Sequence, residues 1–111
     1  MSDSSGDVTR AMDVLKRTFQ PDKAAGVDAI VQYVLTGPEG GEFYCTIKNK
    51  ELALVAGKAP SARITMTMGS KDFLEMTTGK LSSMTAFTSG KLKVGGDMMF
   101  GMKLMPIFKF G

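Results

Sequence analysis

The chain contains no histidine, no tryptophan and a single cysteine among its 111 residues. Without histidine it lacks the side chain whose ordinary pKa lies nearest neutrality, so the commonest general acid–base catalyst is excluded. One cysteine cannot close an internal disulfide, which fits a reducing cytoplasmic setting. Long apolar runs are missing as well. Nothing approaches the roughly 20 residues that span a bilayer, and the opening Met-Ser-Asp-Ser-Ser-Gly-Asp has neither the basic start nor the apolar stretch of an export signal. Acidic residues become scarce late in the chain. Up to residue 70 the charges cancel, whereas Lys71, Lys80, Lys91, Lys93, Lys103 and Lys109 then outnumber Asp72, Glu75 and Asp97, giving the net charge of +3. Such a bias can steer an anionic head group or membrane surface, and it equally fits a solvated face. Basic and aromatic residues do not interleave as a stacking groove requires, so nucleic acid is not an expected partner.

What is present is ordinary for a soluble globular protein, with 43% hydrophobic and 23% charged residues in a length that suits one domain, 1–111. The ten methionines are the exception. Val8, Met12, Leu15 and Phe19 recur at helical spacing between charged residues, behind a serine pair able to cap, and this predicts an amphipathic helix ending near Pro21. Residues 28–36, DAIVQYVLT, read as a strand, and Gly37-Pro38-Glu39-Gly40-Gly41 reads as a turn. Phe43, Cys45 and Ile47 then alternate with polar residues, and Asn49-Lys50 turns the chain into ELALVA, predicting a three-stranded antiparallel meander. After a loop at 58–61, Ala62, Ile64, Met66 and Met68 alternate with Arg63, Thr65 and Thr67 as a fourth strand with one wet face.

Gly-Lys-Leu occurs twice, at 79–81 and 90–92. A phosphate-binding loop fails on spacing, because Leu74 and Thr85 stand where the leading glycine belongs and Leu81 and Leu92 replace the hydroxyl that binds Mg²⁺. Helix stops explain both copies. Ser70 or Asp72 can cap a helix carrying Phe73, Leu74 and Met76 that Gly79 ends, and Ser82 or Ser83 can start another, with Met84, Ala86 and Phe87, that Gly90 ends. A strand at Leu92-Lys93-Val94 follows. Asp97 then caps a last helix with Met98, Met102 and Met105 on one face, before Pro106 and the apolar Ile107, Phe108 and Phe110.

The strand of alternating threonines, Lys-Asp-Phe-Leu, Thr-Gly-Lys-Leu, Ala-Phe-Thr-Ser-Gly-Lys-Leu-Lys-Val and Met-Lys-Leu at 102–104, with this element order, resembles the sterol carrier protein 2 family. The likeness is densest over 62–104 and extends to the leading helix and its Pro-Asp-Lys-Ala-Ala-Gly connector. It implies an α/β (α+β) fold: a five-stranded, mostly antiparallel sheet covered on one face by helices, with an apolar tunnel between them. It also implies binding and transfer of sterols, fatty acids, fatty acyl-CoA or phospholipids. Peroxisomal members end in a Ser-Lys-Leu-like tripeptide, whereas this chain ends Phe108-Lys109-Phe110-Gly111, which points away from peroxisomal import. Its length is expected to be that of a free-standing carrier.

Under that resemblance the expected lipid-binding residues are Ile64, Met66, Met68, Phe73, Met76, Met84, Phe87, Leu92, Met98, Met102, Met105, Ile107 and Phe108. Methionine thioethers are soft ligands for Cu(I), but with no histidine or second cysteine no metal is expected. A flexible, polarisable methionine wall suits varied lipids, and the same residues suit plain core. Cys45 is expected to be buried packing, and Asp72 and Glu75 to serve helix capping, so no catalytic residue and no cofactor is expected. The short helices at 70–90 are candidate gates. The terminal MMFGMKLMPIFKF is a candidate lid, or a membrane-docking edge with Lys103 and Lys109 meeting anionic head groups. The chain is expected to be a monomer or homodimer, and a non-catalytic interaction or dimerisation module of the same fold is the competing reading.

Overall fold

Strand alternation and turn chemistry lay out the sheet. In the computed structural model, which describes residues 6–109, β1 (Ala29–Thr36), β2 (Gly41–Lys48) and β3 (Glu51–Ala56) form the expected antiparallel meander. Asn49 and Lys50 both take left-handed backbone at φ 55° and 63°, the pair of conformations that a two-residue turn matched to strand twist requires. β4 (Ile64–Gly69) begins two residues later than the Ala62 alternation suggests. It pairs with β1 in parallel, and β5 (Leu92–Gly96) adds antiparallel to its far side. The order is β3-β2-β1-β4-β5, so the sheet is mixed but mostly antiparallel.

Register gathers the apolar residues into rows on one face. One row runs Ala56, Phe43, Tyr33, Met66, Val94, and the next Leu54, Cys45, Val31, Ile64, Gly96. The helices pack on this face, where Val31, Tyr33, Phe43, Cys45, Ile47 and Ile64 are all buried. The other face carries Thr46, Thr65, Thr67 and Lys93, partly or fully exposed. Its one buried polar side chain is Gln32, whose amide nitrogen lies 3.1–3.3 Å from the carbonyls of Tyr33, Phe43 and Gly57 and whose oxygen accepts from Ala59 N–H at 2.7 Å. Gln32 thereby fastens the β3–β4 crossover onto the sheet.

Helix α1 (Gly6–Thr18) buries Val8, Ala11 and Leu15, with Met12 at the edge of the stripe. The serine pair expected to cap it lies outside the described residues. Asp7, read from spacing as part of the polar face, is fully buried instead: it accepts a hydrogen bond from Ser70 Oγ at 2.8 Å and faces Lys71 Nζ at 3.3 Å and an Arg10 guanidinium nitrogen at 3.6 Å. Phe19 falls just past the helix, bridging Phe108 through an isolated antiparallel pair; Gln20 N–H and Lys109 N–H donate to Ile107 and Thr18 carbonyls. The end of the chain is so tied back to the end of α1. Phe110 lies outside the described residues.

Helix α2 (Ser70–Thr77) has Gly69 at its N-cap, which has no side chain to offer, while the Ser70 hydroxyl, inside the helix, donates to Asp7; neither Ser70 nor Asp72 caps it. It closes in a Schellman arrangement: Gly79, at φ 85°, donates to Met76 O, and Lys80 donates to Glu75 O. Helix α3 (Ser83–Thr88) is capped by Ser82 Oγ, which accepts from Thr85 N–H at 3.0 Å, and stops before Gly90 at φ 82°. The repeated Gly-Lys-Leu is therefore two helix stops. Helix α4 (Met98–Leu104) starts at Asp97, whose carboxylate accepts from Phe100 N–H at 3.0 Å and from Arg63 Nε at 3.0 Å. The Arg63 guanidinium lies 4.5 Å from the Phe100 ring centroid, a cation–π contact that pins the same end. A short 3₁₀ turn at Met105–Ile107 leads out of α4.

Candidate functional site

Five parts of the fold line one cavity of about 290 Å³, with the sheet as its floor and α2, α3, α4 and the 3₁₀ turn as its walls and rim. Tyr33, Met66 and Val94 of one row, with Leu92 from the row beside it, form the floor. Phe73 and Met76 come from α2; Ser83, Met84 and Phe87 from α3; Met98, Gly101, Met102 and Leu104 from α4; and Met105 and Phe108 from the segment beyond it. Among the described residues the only side-chain polar groups in this lining are the hydroxyls of Tyr33 and Ser83, and no charged residue takes part. An apolar cavity of this kind favours a ligand that loses little by leaving water.

The rim faces solvent. Met102 is 73% exposed, Met84 59%, and Met98, Met105 and Phe87 lie between 44% and 47%, with Met99 at 75% beside them. Large apolar side chains clustered at such exposure around one opening are unusual for a free surface. The exposed ammonium groups of Lys80, Lys91, Lys93, Lys103 and Lys109 have no carboxylate partner among the described residues, whereas Lys71 is paired with Asp7.

Of the residues singled out from sequence, Met66, Phe73, Met76, Met84, Phe87, Leu92, Met98, Met102, Met105 and Phe108 meet in this lining. Ile64, Met68 and Ile107 do not: all three are buried core. Strand alternation identified the face correctly but not what covers it. Beside Ile64, helix α4 presents Gly101 so closely that a methyl there would lie 3.0 Å from Ile64 Cδ1, which leaves no room for a cavity. Ile107 is fixed by the tie between the chain end and Gln20. Tyr33, Val94, Ser83, Gly101 and Leu104 were missed. Tyr33 and Val94 could have been found by extending the Met66 row across the sheet, while Gly101 carries no side-chain signal at all.

Cys45 is fully buried, lies outside the cavity lining, and has its thiol pushed up to about 12 by burial. That is a packed, unreactive thiol. Among the described residues no three His, Cys, Asp or Glu gather in a metal-binding group, and no helix is long and apolar enough to cross a membrane.

Comparison with known proteins matches residues 10–109 to the model of one family, described as the SCP-2 sterol transfer family. The chain belongs to the SCP-2 sterol transfer family. Relatives of this SCP-2 domain include hydroxysteroid dehydrogenase-like protein 2 of Xenopus laevis, 32% identical over 107 residues covering 96% of the chain and 26% of that protein. The chain thus spans about a quarter of that curated relative's length. Among solved structures, sterol carrier protein 2-like 2 of Aedes aegypti aligns with a TM-score of 0.66 at 18% identity, over 91% of this chain and 99% of that one. The Aedes aegypti sterol carrier protein 2 in complex with palmitate aligns at 0.63 and 19%, over 90% and 97%. These likenesses establish the SCP-2 fold, a five-stranded mixed sheet with helices.

Proposed function

We propose that this SCP-2 domain is a non-catalytic lipid carrier that shelters an apolar chain in the cavity over Tyr33 and releases it at a membrane or to an enzyme. The observation that carries the reading is the lining: among the described residues it has two hydroxyls and no charge, with six methionines among fifteen residues. At roughly 30 Å³ per water-sized unit, the volume corresponds to about ten methylenes. At about 0.8 kcal/mol each they give about 8 kcal/mol before ordering costs, which makes roughly micromolar the tight limit for the dissociation constant. A carrier needs affinity of that order in order to let go. Support comes also from the palmitate held by the Aedes relative and from sterol transfer in the family's description. Fatty acid, fatty acyl-CoA, sterol and phospholipid all remain within the proposed class. In the proposed cycle, working in the cytoplasm, the exposed methionine rim rests transiently on a bilayer while Lys103 and its neighbours meet anionic head groups.

The test is a cavity-filling substitution against an outer-face control. Val94→Phe projects into the cavity, whereas Val55→Phe adds the same bulk on the exposed side of β3. Titration with a fluorescent fatty acid is expected to show roughly tenfold or greater weakening for Val94→Phe, about the effect of one to two displaced methylenes plus strain, and none for Val55→Phe. Equal affinity in both variants would place the lipid elsewhere. A dry, dimeric protein that binds no lipid would favour the dimerisation module, its exposed rim being covered by a second copy.

A further inference from the structure

Tyr33 lines the cavity from the sheet side and is only 4% exposed. Its ring is held in one orientation, stacked on Phe43 with centroids 4.8 Å apart and meeting the edge of Phe73 at 5.8 Å. Among the described residues the Tyr33 phenol oxygen has no hydrogen-bond partner, although buried polar groups are nearly always satisfied. It is not sealed, because the single sealed side-chain nitrogen or oxygen without a hydrogen-bond partner, among the described residues, is Asp7 Oδ1. The open space that Tyr33 lines is the cavity. Burial, with Cys45 nearby, pushes the phenol well above its ordinary ionisation range, so the group remains a neutral O–H.

We infer that Tyr33 Oη is the inner polar anchor of this cavity, and that it selects a lipid whose leading end is a neutral hydroxyl or carbonyl. This rests on the carrier reading and gives the ligand a direction. A neutral oxygen arriving at Tyr33 gains the hydrogen bond that both groups otherwise lack. A carboxylate or phosphate arriving there finds no cation among the described residues of the lining and pays for desolvation uncompensated, so anionic heads remain at the rim near Lys103. The second lining hydroxyl, Ser83, begins α3 on the rim side and is only half-buried, so it has water available.

Dodecan-1-ol and sodium dodecanoate share one chain and differ only at the head. Both are titrated into the full chain and into Tyr33→Phe by displacement of 1-anilinonaphthalene-8-sulfonate, with melting curves confirming that each protein is folded. The alcohol is expected to bind Tyr33→Phe roughly tenfold more weakly, the effect of one buried hydrogen bond with its partner left unpaired. The carboxylate is expected to change by no more than about twofold, as its head never reaches the phenol. Independently of any variant, the C1 methylene of labelled dodecan-1-ol in the wild-type protein is expected to show a nuclear Overhauser contact to the Tyr33 ring. Equal losses for both amphiphiles, no loss for either, or contacts from C1 only to the Met102 methyl would overturn the anchor. Binding of neither amphiphile to the wild type would instead overturn the carrier reading and the anchor with it.

Discussion

Asp7 and Cys45 show how far a residue's surroundings can move its chemistry. Burial alone would raise the Asp7 carboxyl, but hydrogen bonds from Ser70 and Lys71, with the charges of Lys71 and Arg10, outweigh it and hold the group below its ordinary 3.8. Its stabilising effect is therefore present above pH 3.8 and is lost as pH falls through the lower folded value. Asp7→Asn is expected to lower stability at pH 7 by on the order of 1.5–3 kcal/mol, the range for a hydrogen bond to a charged group, here one that also joins α1 to α2. Denaturant melts of the two proteins should converge once pH has fallen past the carboxyl's lowered folded value; a gap that persists there would show packing rather than charge at work. Cys45 runs the other way. With the thiol moved from 9.0 to about 12, it should ignore Ellman's reagent at pH 8 until the chain is unfolded, and its contribution to stability fades as pH rises between those two values. Rapid labelling of the native protein would contradict its burial. Alternation predicted the burial of Cys45 because its neighbours Phe43 and Ile47 state the pattern locally. Asp7 and Gln32 were illegible for the converse reason: their partners lie 63 and up to 27 positions away, and no local spacing encodes them.

Among the elements, α3 is the weakest and α4 the best anchored at its start. Of the side chains on α3 only Ala86 is buried, and six residues cannot sustain a helix unaided. Its amides are expected to exchange with deuterium far faster than those of β1, and a saturating fatty acid is expected to slow them selectively. Uniform exchange across α3 and the sheet would remove it as a gate. α4 hangs from the Asp97 cap, the Arg63 contact and Phe100, so Asp97→Ala is expected to speed exchange over 98–104 while leaving β1 unchanged. Both glycine stops and both N-caps at Ser82 and Asp97 could be read from sequence, because capping is chemistry within four residues. The α2 cap was misread because Ser70 lies inside the helix, behind Gly69, and uses its hydroxyl across the fold. The parallel pairing of β1 with β4 leaves no turn signature, since those strands are joined only through two others and a crossover.

At the scale of the molecule, the sheet supplies a flat apolar floor and the short helices an adjustable roof whose outer edge remains greasy. Ten expected residues met in the cavity because methionine, phenylalanine and strand periodicity mark an apolar face; the remaining three show that a face is not yet a lining. An open methionine rim beside unpaired lysines leads to a further expectation: vesicles containing anionic phospholipid should bind the protein, neutral ones should not, Lys103→Glu should weaken binding, and salt should abolish it. Binding indifferent to charge would leave the rim alone responsible. A lipid in the cavity at a hundredfold excess over its dissociation constant should stabilise the fold by roughly 2.7 kcal/mol, raising Tm by about 10 °C or more. The most direct measurement is native mass spectrometry of the purified protein, with organic extraction of whatever travels with it. A monomer carrying one fatty acid, acyl-CoA, sterol or phospholipid, displaced by Val94→Phe, is the expected result; a bare mass that also fails to change with added palmitate, acyl-CoA, sterol or phospholipid would contradict the carrier.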